Sequence, residues 1–266
     1  MNLSSKRLET QLYFEELLGC KDPTRIKEYQ ATAPSLVLNA RRASRFKECC
    51  VVDCKSFLFK GALSLISAVN GLHVGHQTWP LVQLYYATYY FLRADLLMRN
   101  RCTLRANQVF TVLAREREIV SKVSNRSAKS DHHLAILFAK KYIDEEDVLL
   151  SQSIDGQIPY DWMRDQRDWY QYKHKNGIEV EDDGPFFGFD YVELSNQIDM
   201  YLGDTTPYYC FDKDYAALAL PTKKFQFTIA ESKRRGIVLQ PKHLKILEQA
   251  ASAAVPSRRL FQVLKA

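Results

Sequence analysis

Between Trp79 and Arg101, large apolar residues recur at steps of three and four along the stretch WPLVQLYYATYYFLRADLLMRNR. This spacing is typical of an α-helix, and Pro80 stands in the first turn, where a proline is best tolerated. Bulky rings occupy more than one face of that helix, whereas Ala87 and Ala94 leave gaps in which a neighbouring helix can come close. A helix that is apolar over most of its circumference is usually central in a bundle. We therefore expect this helix to hold the fold together and the chemistry to lie elsewhere.

Helical periodicity and helix-stop signals recur along most of the remaining chain. Further helices are predicted at residues 3–20, 41–69, 104–123, 131–142, 160–175, 190–202, 213–232, 240–254 and 257–265. The pattern predicts a mainly α protein, a helical bundle with additional C-terminal helices. After residue 176 the composition becomes acidic and glycine-containing, in GIEVEDDGPFFGFD, which is typical of a loop. We therefore expect two domains, residues 1–176 and residues 177–266.

Composition narrows the class of protein to an ordinary soluble globular one. The 266 residues are 46% apolar and 26% charged, and ten Gly and nine Pro are few for this length. This scarcity disfavours a turn-rich all-β protein and a nucleotide binder built on a glycine loop. The formal net charge of +6 is compatible with a polyanionic partner, but surface charge of this size also serves solubility.

Cysteine usage and the N-terminal segment favour a reducing compartment. Six cysteines show neither disulfide nor zinc-ligand spacing: Cys20, Cys49, Cys50, Cys54, Cys102 and Cys210. The N-terminal MNLSSKRLETQ is too polar for a secretory signal, and charges interrupt the best apolar runs, which disfavours a membrane span. We expect a cytoplasmic protein with buried free thiols, no metal site and no cofactor.

The segment RDWYQYKH holds the candidate catalytic residues. Arg167 and His174 are seven residues apart, so a continuous α-helix would place both on one face. This pair suits RNA cleavage, because a guanidinium can hold the scissile phosphate while an imidazole exchanges protons with the 2′-hydroxyl or the leaving oxygen. Asp168 can orient a partner side chain, and the scheme needs no metal. Aromatic residues nearby either stack on RNA bases or, more commonly, pack in a core: Trp162, Trp169, Tyr170 and Tyr172.

The order of these features resembles the HEPN superfamily, and in particular its YaaC-like branch. The similar pieces lie within about residues 50–175 and are LYYATYYFLRADLL, DHHLAILFAKKY and WMRDQRDWYQYKH. Members of that family are α-helical bundles, and many are metal-independent endoribonucleases of toxin or antiviral systems. Their signature is Arg, a polar residue, several further residues and then His, which Arg167, Asp168 and His174 match. The C-terminal third of the chain has no counterpart in this resemblance.

The resemblance implies two alternative functions. One is a metal-independent endoribonuclease that acts on RNA in a toxin or antiviral (anti-phage) defence system, with Arg167, Asp168 and His174 as catalytic residues. Active members generally dimerise so that two motifs form one cleft, which implies a homodimer. Other HEPN-like proteins lack the motif and serve as binding or scaffolding subunits. The alternative is therefore a non-catalytic interaction subunit that docks a partner nuclease or ATPase in a defence complex.

A second set of Arg and His residues precedes one of the predicted helices. Arg126 lies in the polar stretch SNRSAKS, and His132 and His133 follow it. The family often has a histidine near this helix start, so Arg126 and His132 are alternative catalytic candidates. The simpler interpretation is a helix N-terminus, with Asp131 as the N-cap and both histidines in the first turn.

Three other stretches have competing interpretations. NGLHVGH at residues 70–76 is similar to the His-x-Gly-His signature of class I aminoacyl-tRNA synthetases, but that site needs a parallel sheet. We expect instead a loop with His73 and His76 partly exposed. The acidic run at 179–183 is expected to be a solvated loop rather than a cation site. The basic run at 233–235 can either close a helix or contact phosphate.

Overall fold

The computed structural model describes residues 7–124, 130–143, 145–173, 186 and 192–266. Within these residues the protein is mainly helical, as predicted, with one small antiparallel sheet. The α-helices of the described residues are α1 (Glu9–Leu17), α2 (Ala40–His73), α3 (Thr78–Met98), α4 (Asp131–Tyr142), α5 (Pro159–Asp168), α6 (Leu194–Gly203), α7 (Ala216–Arg234), α8 (Pro241–Ala251) and α9 (Val255–Lys265). A π-helix at Trp169–Lys173 follows α5, and short 3₁₀ helices lie at Pro23–Tyr29, Ala33–Ser35, Val148–Leu150 and Tyr208–Cys210.

The chain folds into two compact units, each built from two stretches of sequence. Unit 1 comprises Met1–Ser56 and Arg93–Phe138, and unit 2 comprises Phe57–Leu92 and Ala139–Ala266. Unit 2 therefore takes residues from both predicted domains. The predicted boundary between residues 176 and 177 lies outside the described residues, so this division stays a prediction.

In unit 1, the start of α1 is capped by a side chain from α2 rather than by its own sequence. Leu8, at the N-cap position, has no side-chain acceptor. Asp53 of α2, which is buried, accepts hydrogen bonds from the backbone N–H groups of Glu9 and Thr10 at 2.8 and 2.9 Å. The Thr10 hydroxyl donates to the same carboxylate at 2.7 Å. A carboxylate at this position satisfies unpaired N–H groups and suits the positive end of the helix dipole, so it fixes α1 on α2.

The prediction of a helix at 104–123 is wrong, because this part of unit 1 forms strands. They are β1 (Arg101–Ala106), β2 (Gln108–Leu113) and β3 (Ser121–Lys122), paired antiparallel in the order β1-β2-β3. In β1 the side chains of Cys102, Leu104 and Ala106 are buried, and the intervening residues are more exposed. This period of two matches a strand rather than a helix. Asn107 joins the first two strands with a φ of 63°. This positive φ is incompatible with a continuous right-handed helix through residues 104–123.

The free edge of β1 is partly covered by a side chain of α1. The Gln11 amide nitrogen donates to the carbonyl oxygen of Arg105 at 2.8 Å, and the Arg105 N–H donates to the Gln11 amide oxygen at 2.8 Å. The amide group therefore pairs with the strand as a peptide unit of a neighbouring strand would.

Five of the six cysteines are buried, which confirms most of the prediction of buried free thiols; Cys20 is half-buried. In unit 1, the Sγ atoms of Cys50 and Cys102 lie 3.3 Å apart without a disulfide. The hydrogen bond with Cys50, together with burial, raises the pKa of Cys102 well above its usual value. The Cys102 thiol therefore stays protonated and behaves as a small apolar core group.

In unit 2, the parts of α2 and α3 that belong to it pack closely on each other and on the later helices. A Cβ atom added at Gly61 of α2 would lie 2.5 Å from the ring of Phe91 of α3. That ring in turn lies 5.6 Å from the ring of Phe225 in α7. Almost all of α3 is buried, which confirms its predicted role as a central helix.

One end of α2 is bound to α8 and α9 through polar contacts. The Asn70 amide donates to the carbonyl oxygen of Ala250 at 2.9 Å, and the Ser257 hydroxyl donates to the Asn70 amide oxygen at 2.6 Å. The rings of Phe59 and His243 stack with their centroids 4.5 Å apart. These contacts make the C-terminal helices an integral part of unit 2.

A buried ion pair lies inside unit 2. The Lys224 ammonium of α7 donates to a carboxylate oxygen of Asp147 at 2.6 Å, and both side chains are less than 7% exposed. The Tyr160 hydroxyl donates to the same oxygen at 2.6 Å, and the Leu149 N–H donates to the other one at 3.2 Å. Asp147 thus balances a buried cation and binds two further donors.

The helices of the described residues do not cross a membrane, since none of them is both long and apolar enough to do so.

Candidate functional site

The segment with the candidate catalytic residues is a helix that changes type. Pro159 opens α5 at the position where a proline is best tolerated, and Asp161 in its first turn suits the helix dipole. The α-helix ends at Asp168 and continues as the π-helix Trp169–Lys173. The described part of the predicted helix 160–175 is therefore helical, but not α-helical throughout.

This change of type removes the basis for placing Arg167 and His174 on one face. That expectation assumed about 3.6 residues per turn between them, whereas a π-helix has wider turns closed by bonds from i to i+5. His174 itself lies outside the described residues, so its position relative to Arg167 stays a prediction.

The guanidinium of Arg167 lies among aromatic rings. Its side chain is 9% exposed, and its central carbon lies 4.7 Å from the centre of the Tyr85 ring. The ring centres of Tyr86 and Tyr172 lie at 5.8 and 5.7 Å. One terminal nitrogen forms an ion pair with Asp168 at 2.9 Å. Arg167 and Asp168, both predicted as catalytic, are thus brought together, with the cation packed against rings.

The hydroxyl of Tyr85 and the Arg167 guanidinium affect each other. Burial raises the pKa of Tyr85 above its usual value, and a hydrogen bond with Arg167 partly opposes that rise. Tyr85 therefore stays protonated at neutral pH.

The Nε atom of Arg167 is buried and has no hydrogen-bond partner among the described residues. A buried donor without a partner costs free energy, so the surroundings of Arg167 do not fully satisfy it.

The aromatic residues of this segment divide into buried and exposed groups. Trp162 and Tyr170 are buried in unit 2, as expected for core residues. Trp169 and Tyr172 are 50% and 68% exposed, and the Lys173 ammonium lies 5.9 Å from the Trp169 ring. Two exposed rings beside cations are the kind of surface on which nucleobases stack.

The second candidate set has a different local structure from the one expected. The Ser130 hydroxyl, rather than Asp131, accepts the capping hydrogen bond, from the N–H of His133 at 3.1 Å. Asp131 is the first residue of α4, and its carboxylate is paired with Arg105 of β1. The prediction of Asp131 as N-cap is therefore wrong. Arg126 lies outside the described residues, so a catalytic role for Arg126 and His132 stays a prediction.

The stretch at 70–76 is the end of α2 and the turn into α3. Gly75 has a φ of 87°, which a glycine adopts without strain, and His73 and His76 are exposed. A helix rather than a strand precedes this turn, so the resemblance to a nucleotide-binding signature has no structural counterpart here. The prediction of a loop at 70–76 is confirmed only from residue 74 onward, because residues 70–73 form the last turn of α2.

The two charged runs of the sequence, at 233–235 and 179–183, have different outcomes. The basic run ends α7, and Gly236 adopts a φ of 69° there while its N–H donates to the carbonyl oxygen of Lys233 at 2.9 Å. The acidic run at 179–183 lies outside the described residues. Across the described part of the chain, no group of three His, Cys, Asp or Glu side chains is arranged to hold a metal ion.

Tyr85 is the partner of Arg167 that sequence reasoning missed. The sequence predicts a core role for the helix that carries Tyr85, and nothing in its spacing marks one tyrosine as the neighbour of a distant arginine. A tyrosine within an otherwise buried helix is the only available signal, because a buried phenol usually finds a polar partner.

The packing of Arg167 leads to a prediction about stability. Arg167→Ala should lower the free energy of unfolding by about 2 kcal/mol, because a desolvated cation–π contact and its ion pair are lost. Arg164→Ala is the matched control, since Arg164 lies in the same helix and pairs with Asp161 and Asp165 without such burial. It should cost about 1 kcal/mol or less in urea unfolding. Equal losses for both variants would contradict a packing role for Arg167.

Comparisons of this chain with protein-family models, with curated proteins and with solved structures found no match.

Proposed function

We propose that this protein is a HEPN-like interaction subunit that docks a partner protein, such as a nuclease or an ATPase of a defence system. The proposal rests on the contacts of the Arg167 guanidinium, which packs on the ring of Tyr85 and forms an ion pair with Asp168. A phosphate-binding arginine needs donors directed at the ligand, whereas this one is committed to rings and a carboxylate. The resemblance to the HEPN superfamily supports the defence setting.

A metal-independent endoribonuclease is the second candidate. It is supported by the unpaired Nε of Arg167 and by the exposed rings of Trp169 and Tyr172 on a π-helix, since π-helices are frequent at functional sites. In this scheme Arg167 binds the phosphate, Asp168 orients a partner side chain and His174 exchanges protons. The 2′-hydroxyl attacks phosphorus, the bond to the 5′-oxygen breaks, and a cyclic phosphate is the product.

RNA cleavage distinguishes the two candidates. Purified protein is incubated with total RNA with and without EDTA, and the ends are tested for cyclic phosphate. An interaction subunit should give no cleavage above buffer, and should co-purify with an ATPase or nuclease encoded beside it. Cleavage in EDTA that His174→Ala removes and His76→Ala retains would overturn the proposal in favour of the nuclease. His76 is a suitable control because it lies exposed in the turn between α2 and α3.

A further inference from the structure

The excess positive charge of the protein is concentrated at its C-terminal end. Residues 231–266 contain eight Lys and Arg and two Glu, a formal charge of +6, which equals the net charge of the whole chain. The other 230 residues therefore carry no net formal charge. The charged segment comprises the end of α7, the whole of α8 and α9, and their connections.

This segment surrounds an apolar groove of about 450 Å³ in unit 2. Its lining includes Ile229, Ile237, Val238, Leu239, Leu244 and Leu264. Lys233 and Lys265 also line it, and Val238 is 58% exposed. The volume lies within the range of about 300 to 1,000 Å³ that is usual for binding sites. It is large enough to take a few apolar side chains.

The two acidic residues of the segment are already used. Glu231 accepts hydrogen bonds from Arg234 at 2.7 Å and also pairs with Arg235, and these bonds lower the pKa of Glu231 to about 2. Glu248 pairs with Lys265 at 2.9 Å. Two lysines of α8, Lys242 and Lys245, form no ion pair with any residue of the described chain. The surface around the groove therefore carries positive charges that no carboxylate of the described residues neutralises in an ion pair.

We propose that this groove is the docking site for an acidic amphipathic segment of a partner protein. Apolar side chains of the segment would fill the groove, and its Asp and Glu residues would face the surrounding lysines and arginines. This inference rests on the proposed function as an interaction subunit and adds the surface and the chemistry of the partner.

The shape and lining of the groove favour a peptide over other polyanions. Nucleic acid would leave it unfilled, because bases are held by aromatic side chains and the lining named above is aliphatic. A membrane surface is bound by an apolar face that inserts into lipid, whereas this apolar surface is concave. An acidic amphipathic helix with apolar residues at positions i, i+3, i+4 and i+7 would fill the groove with those residues and place its carboxylates near the surrounding cations.

Fluorescence anisotropy with two labelled peptides tests the proposal. Each is an amphipathic helix of five turns, about 18 residues, with Leu at the anchor positions and either Glu or Lys elsewhere. The protein should bind the Glu peptide and not the Lys peptide, and the affinity should fall as NaCl rises from roughly 50 to 500 mM. Val238→Asp should weaken binding about tenfold or more, because it places a carboxylate in the apolar groove.

Val74→Asp is the control variant, since Val74 is a similarly exposed valine (66%) in the turn between α2 and α3. It should bind the Glu peptide as wild type does, and thermal unfolding should show both variants folded. No binding of the Glu peptide, or equal binding by Val238→Asp, would overturn the groove assignment. Binding of RNA or of anionic lipid vesicles that Val238→Asp removes, without binding of the Glu peptide, would do the same and identify another occupant.

The outcomes separate this inference from the proposed function. If a neighbour-encoded partner co-purifies equally with wild type and Val238→Asp, the interaction role holds and the groove is not its site. If RNA is cleaved in EDTA by wild type and not by His174→Ala, the proposed function fails, whatever the peptide result.

Discussion

Asp147→Asn should lower the free energy of unfolding by about 3 to 5 kcal/mol, the largest loss that we expect from a single substitution. Asparagine has nearly the same volume as aspartate, so packing changes little. The ammonium of Lys224, which is 3% exposed, would however lose its counterion at 2.6 Å. Removing one member of a buried ion pair costs far more free energy than the intact pair contributes. Urea unfolding followed by tryptophan fluorescence measures the loss.

Two further variants test the cause of this effect. The double variant Asp147→Asn with Lys224→Met should be more stable than Asp147→Asn alone, because the buried ammonium is removed together with the carboxylate that balances it. Asp199→Asn is the control for a surface pair, since Asp199 and Arg259 lie 3.3 Å apart with both side chains 46% exposed. It should cost about 1 kcal/mol or less. A loss at Asp147 no greater than this would contradict the role of buried charge.

Gly61→Ala should destabilise the protein by about 1 to 3 kcal/mol, although alanine is normally the better helix former. The reason is space, because the added Cβ would lie 2.5 Å from the Phe91 ring, whose movement is limited by Phe225. Either the ring or the helix must shift, and overpacking of this kind costs more than the gain in helix propensity. Thermal or urea unfolding of both proteins gives the difference.

The matched control is Gly203→Ala, at the end of α6, where an added Cβ meets nothing within 4 Å. Its stability should stay within about 0.5 kcal/mol of wild type. The double variant Gly61→Ala with Phe91→Leu should be more stable than Phe91→Leu alone, because the smaller leucine side chain leaves room for the added methyl group. If Gly61→Ala proves neutral or stabilising, this close approach does not limit the packing of unit 2.

The helices could be predicted because the spacing of apolar residues and the residues that end helices indicate the same segments. The stretch that forms α3 has apolar residues on nearly all faces, and α4 begins and ends at the predicted residues 131 and 142. Gly19 and Gly236 stand where α1 and α7 end, both with positive φ. Such signals depend on local steric effects, which the sequence alone contains.

The sheet was missed because local propensity and tertiary pairing disagree. Residues 115–118, Arg-Glu-Arg-Glu, favour a helix by composition, yet Arg117 adopts a φ of 66° in the turn that follows β2. The alternation in β1 extends over only six residues, and its stability comes from pairing with β2 and from the burial of every second side chain. Contacts between distant residues decide such cases.

Arg167 and Asp168 can be chosen as candidates from the sequence, whereas the geometry around Arg167 cannot be predicted from it. The sequence places Arg167 next to Asp168, and the two do pair. The switch from α- to π-helix at Trp169 and the packing of Arg167 on Tyr85 arise from tertiary contacts. A spacing rule for straight α-helices cannot anticipate either of them.

The pairing of Gln11 with Arg105 has a consequence for how copies of this protein behave at high concentration. An exposed strand edge is a template on which another chain can add a strand, and such additions start aggregates. The amide of Gln11 occupies both backbone groups of Arg105 on the outer side of β1, so an incoming strand would have to displace it. A single side chain of the first helix thus helps to keep neighbouring molecules apart.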